Sequence, residues 1–438
     1  RVPPRLSTRL LLPTPKLSAP AMLPPDDTDP RPFPVLRYFI VGTGFLFLII
    51  AAFYLTENFG GQRAWDQEKA RLAAAGESLD LADFFPDPKS VPDDENGATV
   101  PIFADVFAGH SSAAFEWSRI FSPSYFDLPN ISWTDGSSPS PKLLVSSLLT
   151  SSHPSPPESE VEAARMVLSA MEVDADNFKE FEEALSRPHF VVPNSTNLDF
   201  ENRFSHFTML QSHARMATHR ALCRITAKDS TSAIKDVRLI LRSRKFSSEP
   251  TLLSALVSIN ITVNAIQPLW FGLATQSWTE SELRALDADL AKIHPTTDLR
   301  RAIRGERAFF CSMIDSFAKD RSTLEDGLIP NQGSATFLSV ATSSLIWLAP
   351  KGWFHQNQVS YATKTQSFLH RLDKTPFGAM PLFSGMKRSP YNVLALLAYP
   401  SINTITHQIR HTEAILAQAR TAIATELFRQ SSGHLPAS

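Results

Sequence analysis

From residue 38 to residue 56 the chain carries no charged side chain; Arg37 bounds the run on one side and Glu57 on the other. Such a run, about 19 residues, rises about 28 Å as an α-helix, close to the thickness of a bilayer's hydrocarbon core. Tyr38 and Tyr54 stand near its two ends, where interfacial aromatics belong. The run is longer than the apolar core of a secretory signal. Large residues (Phe53, Tyr54, Leu55) follow where a cleavage site needs small ones. The pattern predicts one retained transmembrane helix over 36–56. Residues 1–35 are Pro-rich without an apolar period and predict a disordered tail.

Beyond the run the pattern changes three times. Residues 62–76 are rich in Ala, Glu, Lys and Arg and predict a short helix capped by Gly76. The prolines between Phe84 and Gly97 preclude regular structure. Residues 100–135 hold aromatics such as Phe103, Trp117 and Trp133. They predict a flap packed on the main domain, with a sugar- or peptide-binding platform as the rival. Residues 136–157 are Ser/Pro-rich and predict an exposed loop. Thus 57–157 is expected to be a short helix plus an irregular region.

From 158 to 438 the apolar period is helical, predicting an α-helical domain. Helices are expected at 158–171, 174–185, 206–227, 232–244, 251–274, 281–293, 299–317 and 402–429, with a kink at Pro268. The 251–274 helix is long enough to span a membrane. Its Ser254, Ser258, Asn260, Thr262, Asn264 and Gln267 suit a central bundle helix better. Residues 336–349 are apolar but too short to span, and 350–357 read as a turn. A buried helix with a structured loop is expected there. An interfacial helix anchored by Trp347 and Trp353 is the alternative. The pairs 206–227 with 232–244, and 251–274 with 281–293, predict helical hairpins. The fold class is therefore mainly α: one N-terminal transmembrane helix, then an α-solenoid-like or bundle domain. The signature of a 34-residue repeat is absent.

Charge and composition narrow the function classes. A formal net charge of −2 offers no field for nucleic acid. With 16 glycines and no Gly-x-Gly-x-x-Gly, Walker loop or Gly-x-Ser-x-Gly, no nucleotide site or cofactor is expected. Six basic residues precede the apolar run (Arg1, Arg5, Arg9, Lys16, Arg31, Arg37), which would hold the tail in the cytoplasm. If Met22 is the true start, the count nearly cancels against Arg63, Lys69 and Arg71. Arg37 at one end and Glu57 at the other still favour a cytoplasmic tail and an extracytoplasmic bulk.

Cys223 and Cys311 read as two small buried hydrophobes, with one disulfide as the alternative. His407 and His411 lie one helical turn apart and are the weak candidates for a metal. Gln408 stands where the zinc-protease motif needs its general base, so a solvated face is expected. His206 and His213 share a face two turns apart, too far for one ion, and His219 lies on the same helix. Ser316-x-x-Lys319 and Ser401-x-Asn403 match parts of the penicillin-recognising signature, but the later Lys-Thr-Gly is missing. Arg300, Arg301, Arg304, Glu306 and Arg307 predict a solvated face of internal ion pairs, with an anion site as the alternative. The sequons at Asn130, Asn194 and Asn260 are short enough to arise by chance.

Several spacings carry a resemblance: Trp65-x6-Leu72-x3-Gly76, Leu79-Asp80, Pro86, Pro92-Asp93-Asp94-x-Asn96 and Pro101. Further along are Glu249-Pro250-Thr251-Leu252, Pro350-x-Gly352-Trp353-x2-Gln356-Asn357 and Phe428-Arg429-x4-Gly433-x-Leu435-Pro436. Together they resemble single-pass bacterial envelope proteins with a helical extracytoplasmic domain and no established activity. The resemblance implies a location and a fold and carries no catalytic residue. In that family the last motif runs on into a Pro-rich module. Here the sequence stops at Ser438, which, with the missing initiator Met, suggests an incomplete reading frame. The expected function is a membrane-anchored binding or scaffolding protein of the cell envelope, with protein partners and a single membrane span. The rivals are an envelope hydrolase with an unrecognised site and a secretion or pilus-assembly accessory.

Overall fold

The computed structural model describes residues 34–108, 140–148, 157–172, 175–193, 205–247, 249–322, 347–374 and 387–436. The chain divides into two units, Arg1–Leu55 and Thr56–Ser438. Helix α1 (Pro34–Ala74) begins in the first and ends in the second. In the first unit its side chains are almost all exposed. An 18-residue window of α1 reaches a mean hydropathy of 2.2 with none of it buried.

The helix expected to start anew at residue 62 is a continuation of α1. Gly60 and Gly61 do not interrupt it: each weakens a helix interior by only about 1 kcal/mol. Gly61 is needed for another reason, since a Cβ there would overlap the backbone of Gly352. α1 stops at a left-handed Gly76 (φ 74°). There Gly76 N–H donates to Ala73 O (3.0 Å) and Glu77 N–H to Leu72 O (3.0 Å), a Schellman closure.

Among the described residues there are no strands, and one parallel bridge joins Asn96 to His189. The second unit continues through three single-turn 3-10 segments and then α2 (Pro101–Phe107), α3 (Pro141–Leu148), α4 (Glu160–Met171) and α5 (Ala175–Ser186). Next come α6 (Ser205–Thr226), α7 (Ser230–Ser243), α8 (Leu252–Ala274), α9 (Glu280–Leu290) and α10 (Pro295–Lys319). Last are α11 (Lys351–Lys374) and α12 (Val393–Ser432).

One core gathers Phe103, Phe181, Leu210, Ile240, Ile261 and Leu286 from α2 and α5 through α9. A second joins Leu252, Ile303, Phe310, Tyr361, Phe368 and Ile402 from α8, α10, α11 and α12. A small third cluster sets Trp65 and Leu72 of α1 against Cys311 and Ala362. α8 also passes a spanning test by length and composition (mean hydropathy 1.5), yet 61% of that window is buried. It packs on α6, α7, α10 and α12, and its apolar residues are core.

Three expectations need correction. Residues 141–148 form helix α3, where a loop was expected. Leu144 and Val145 are buried against α4, and the Ser140 hydroxyl and Lys142 N–H bond Glu160. Residues 351–357 open α11, where a turn was expected. Finally, of the two expected hairpins α6 packs on α7, whereas α9 packs chiefly on α12 and α7 and less on α8, and α12 returns onto α8, α10 and α11. With α12 packed on four other helices, these contacts run beyond sequence neighbours. The aromatic residues 109–135 and the apolar stretch 336–346 lie outside the described residues.

Candidate functional site

His407 and His411 are exposed on α12. Among the described residues no three His, Cys, Asp or Glu side chains gather as metal ligands. Glu413 turns elsewhere: its Oε1 accepts from Thr296 N–H (3.3 Å) and from the Thr296 hydroxyl, covering the first turn of α10. The other histidines sit deep. His213 stacks on Phe181 with centroids 3.6 Å apart and planes 9° apart, and His206 packs against Phe107, Phe190 and Phe207. Burial, with Arg220 adding to it, pushes His213 well below its ordinary value. Ser316 donates to Ser312 O (3.2 Å), and Lys319 is exposed. Cys223 and Cys311 are buried free thiols. Burial pushes Cys223 up to about 12 and Cys311 higher still, so neither is a thiolate nucleophile in the fold.

The charged run at 300–307 was expected to face solvent, and at its end it does not. Arg307 is fully buried. Its Nη2 lies 2.6 Å from Glu77 Oε2, and its Nη1 donates to Gln366 Oε1 at 2.5 Å. Arg304 Nε reaches the same Glu77 oxygen at 3.0 Å. Burial alone would raise the Glu77 carboxyl; the two arginines outweigh it and hold Glu77 below its ordinary value. Glu306 Oε2 accepts from Leu252 N–H (3.2 Å) at the start of α8. The signal was legible: Leu299, Ile303, Arg307, Phe310 and Ile314 recur at helical spacing, which puts Arg307 on the apolar face. These charges tie the end of α1 to α10 and α11.

A cleft of about 260 Å³ opens beside α7, α8 and α10, lined by Arg244, Lys245, Glu249, Ser258, Asp298 and Arg301 among others. Arg244 Nη2 pairs with Asp298 Oδ2 at 2.7 Å, and its Nε donates to Ser258 Oγ at 3.0 Å. The lining offers cations, carboxylates and hydroxyls, with the Ser258 hydroxyl held by a guanidinium and not by a base.

A second polar cluster lies where α1 leaves its apolar stretch. Trp353 Nε1 donates to Glu57 Oε2 (3.0 Å), and the Tyr391 hydroxyl donates to Glu57 Oε1 (3.1 Å). Gly352 N–H donates to Asn58 Oδ1 (3.0 Å), and a Cβ on Gly352 would overlap the Glu57 carbonyl. Asn357, only 2% exposed, closes the arrangement. Its Nδ2 donates to Trp353 O (2.7 Å) and Pro390 O (2.8 Å). Its Oδ1 accepts from Leu394 N–H (2.9 Å) and Ala395 N–H (3.3 Å), capping α12 from another helix.

The residues that carried the family resemblance thus have structural duties. Gly76 ends α1. Asn96 bonds both backbone groups of Val191. Gly352 and Asn357 join α1, α11 and α12, and Gly433 (φ 78°) ends α12. Comparison of the chain with protein-family models, with curated proteins and with solved structures finds no match.

Proposed function

We propose that this chain is a membrane-anchored helical binding or scaffolding protein of the bacterial cell envelope, with its bulk outside the cytoplasm and with protein partners. The observation that carries the reading is the first part of α1. Leu36, Phe39, Phe45, Phe47 and Ile49 are among a run of exposed large apolar side chains there. Each would gain about 1.5–3 kcal/mol on leaving water, and a bilayer supplies that. Among the buried charges beyond it, Asp236 and Arg307 join helices. Asp236 holds Arg220 (2.6 Å) and Arg224 (2.7 Å), and Glu77 holds Arg307. Such ties suit a domain that presents a fixed helical surface. The envelope location rests on the sequence resemblance, and the outward bulk on Arg37 and Glu57 at the two ends of the span.

Two measurements test this. A topology reporter fused after Ser438 should be silent in the cytoplasm; cytoplasmic activity refutes the outward bulk. Photo-crosslinkers on exposed positions of the full chain, in native membranes, should give discrete protein adducts. Adducts with lipid alone contradict the scaffolding role.

A further inference from the structure

We infer that the face formed by the starts of α11 and α12 rests on the lipid surface as a collar. The inference rests on the reading of α1 as a membrane anchor and deepens it.

Position comes first. Glu57 lies two residues beyond Leu55, the last large apolar residue of the uncharged run. Trp353 and Tyr391 each hydrogen-bond Glu57 directly. The starts of α11 and α12 therefore lie within one side chain of Glu57, the residue that ends the uncharged run.

Surface chemistry comes second. Trp347 (54% exposed), Leu348, Val393 and Leu397 (62%) leave large apolar area exposed near the starts of these two helices, and Phe59 of α1, two residues beyond Glu57, is exposed as well. Val393 and Leu397 are one helical turn apart on one face of α12. Lys351, Lys387 and Arg388, all exposed, supply the cationic rim that phosphate headgroups attract. Trp and Tyr, apolar in body and polar at the tip, are the residues that settle at headgroup depth.

The bonding of the half-buried Glu57 fits the same place. A carboxylate at the edge of the hydrocarbon is costly unless its oxygens are bonded. Here Trp353 and Tyr391 each donate to a different oxygen of it.

The test uses the full chain in vesicles of phosphatidylcholine and phosphatidylglycerol. Because Cys223 and Cys311 are buried, a nitroxide added to Leu397→Cys labels that site alone. Ser431→Cys serves as the reference, about 51 Å further along the same helix. At Leu397 the label should be several-fold more accessible to oxygen, relative to a water-soluble nickel complex, than at Ser431. Val393→Cys should behave like Leu397→Cys. If the protein resists alkaline carbonate yet the Leu397 label is as open to nickel as the Ser431 label, the collar is refuted while the anchor stands. Spin–spin broadening at Leu397 that disappears on dilution with unlabelled protein would assign the face to a second copy and overturn the proposal. Release of the protein by carbonate would overturn the anchor and the collar together.

Discussion

The guanidinium of Arg307 lies 2.6 Å from the carboxylate of Glu77, although 230 positions separate them in the chain. The pair fastens the residue just past α1 to the middle of α10.

Breaking the pair from one side should be severe. Glu77→Leu strands a fully buried cation and is expected to destabilise the domain by about 3–5 kcal/mol. The double variant Glu77→Leu with Arg307→Met removes the charge as well, and should lie closer to the parent than Glu77→Leu alone. Urea unfolding in mild detergent measures both. A double variant less stable than the single would contradict the assignment.

Acid should weaken the fold in two windows. His213 is held below its ordinary value of 6.5 by burial and by Arg220, so the unfolded chain takes up a proton that the folded chain refuses. Stability then falls as pH drops below 6.5, by about 1.4 kcal/mol per pH unit for one proton. Burial of its ring, with Arg215 adding to it, shifts His219 on the same helix the same way, to about 4. Glu77 is also depressed, so its stabilisation is complete above its ordinary value of 4.5 and is lost as pH falls through its lower folded value. His213→Leu should flatten the slope between pH 6.5 and the Glu77 window. An unchanged slope would contradict the assignment to His213.

The adjacent glycines of α1 should respond in opposite directions. A Cβ at Gly60 meets nothing within 4 Å, so Gly60→Ala should stabilise by about 1 kcal/mol through helix propensity. A Cβ at Gly61 collides with the backbone of Gly352, so Gly61→Ala should destabilise by about 1–3 kcal/mol. Thermal unfolding of the two variants distinguishes them, and equal shifts would mean that α1 and α11 do not meet there.

Asn357→Ala leaves Leu394 N–H and Ala395 N–H at the start of α12 without their acceptor, at a cost of about 3 kcal/mol. Asn357→Asp keeps that acceptor but turns a carboxylate oxygen on Trp353 O and Pro390 O in a buried site, so it should destabilise the fold while leaving the cap of α12 in place. Hydrogen exchange at residues 394 and 395 should accelerate in the alanine variant. Unchanged exchange there would contradict the cap.

What the sequence made legible was the apolar period. Helices α4 to α10 lie close to the positions their spacing predicts, because their buried faces are made mostly of Leu, Ile, Val, Phe and Ala. α11 was not legible because buried polar residues break its period. Asn357, Gln358 and Thr365 are covered by bonds to distant backbone or to their own helix, such as Gln358 Nε2 to Cys311 O at 2.8 Å. α3 hid in a Ser/Pro-rich context, and its Leu144 and Val145 gained meaning only with α4 beside them. The continuity of α1 depended on α11, whose backbone crosses at Gly61. The Glu57 cluster is a meeting of residues about 300 positions apart, and no local pattern announces it.

The central claim is that α1 holds the protein in a membrane. Alkaline carbonate extraction of membranes carrying the full chain tests it most directly. The account predicts that the protein stays in the membrane pellet. Complete release into the supernatant would contradict it.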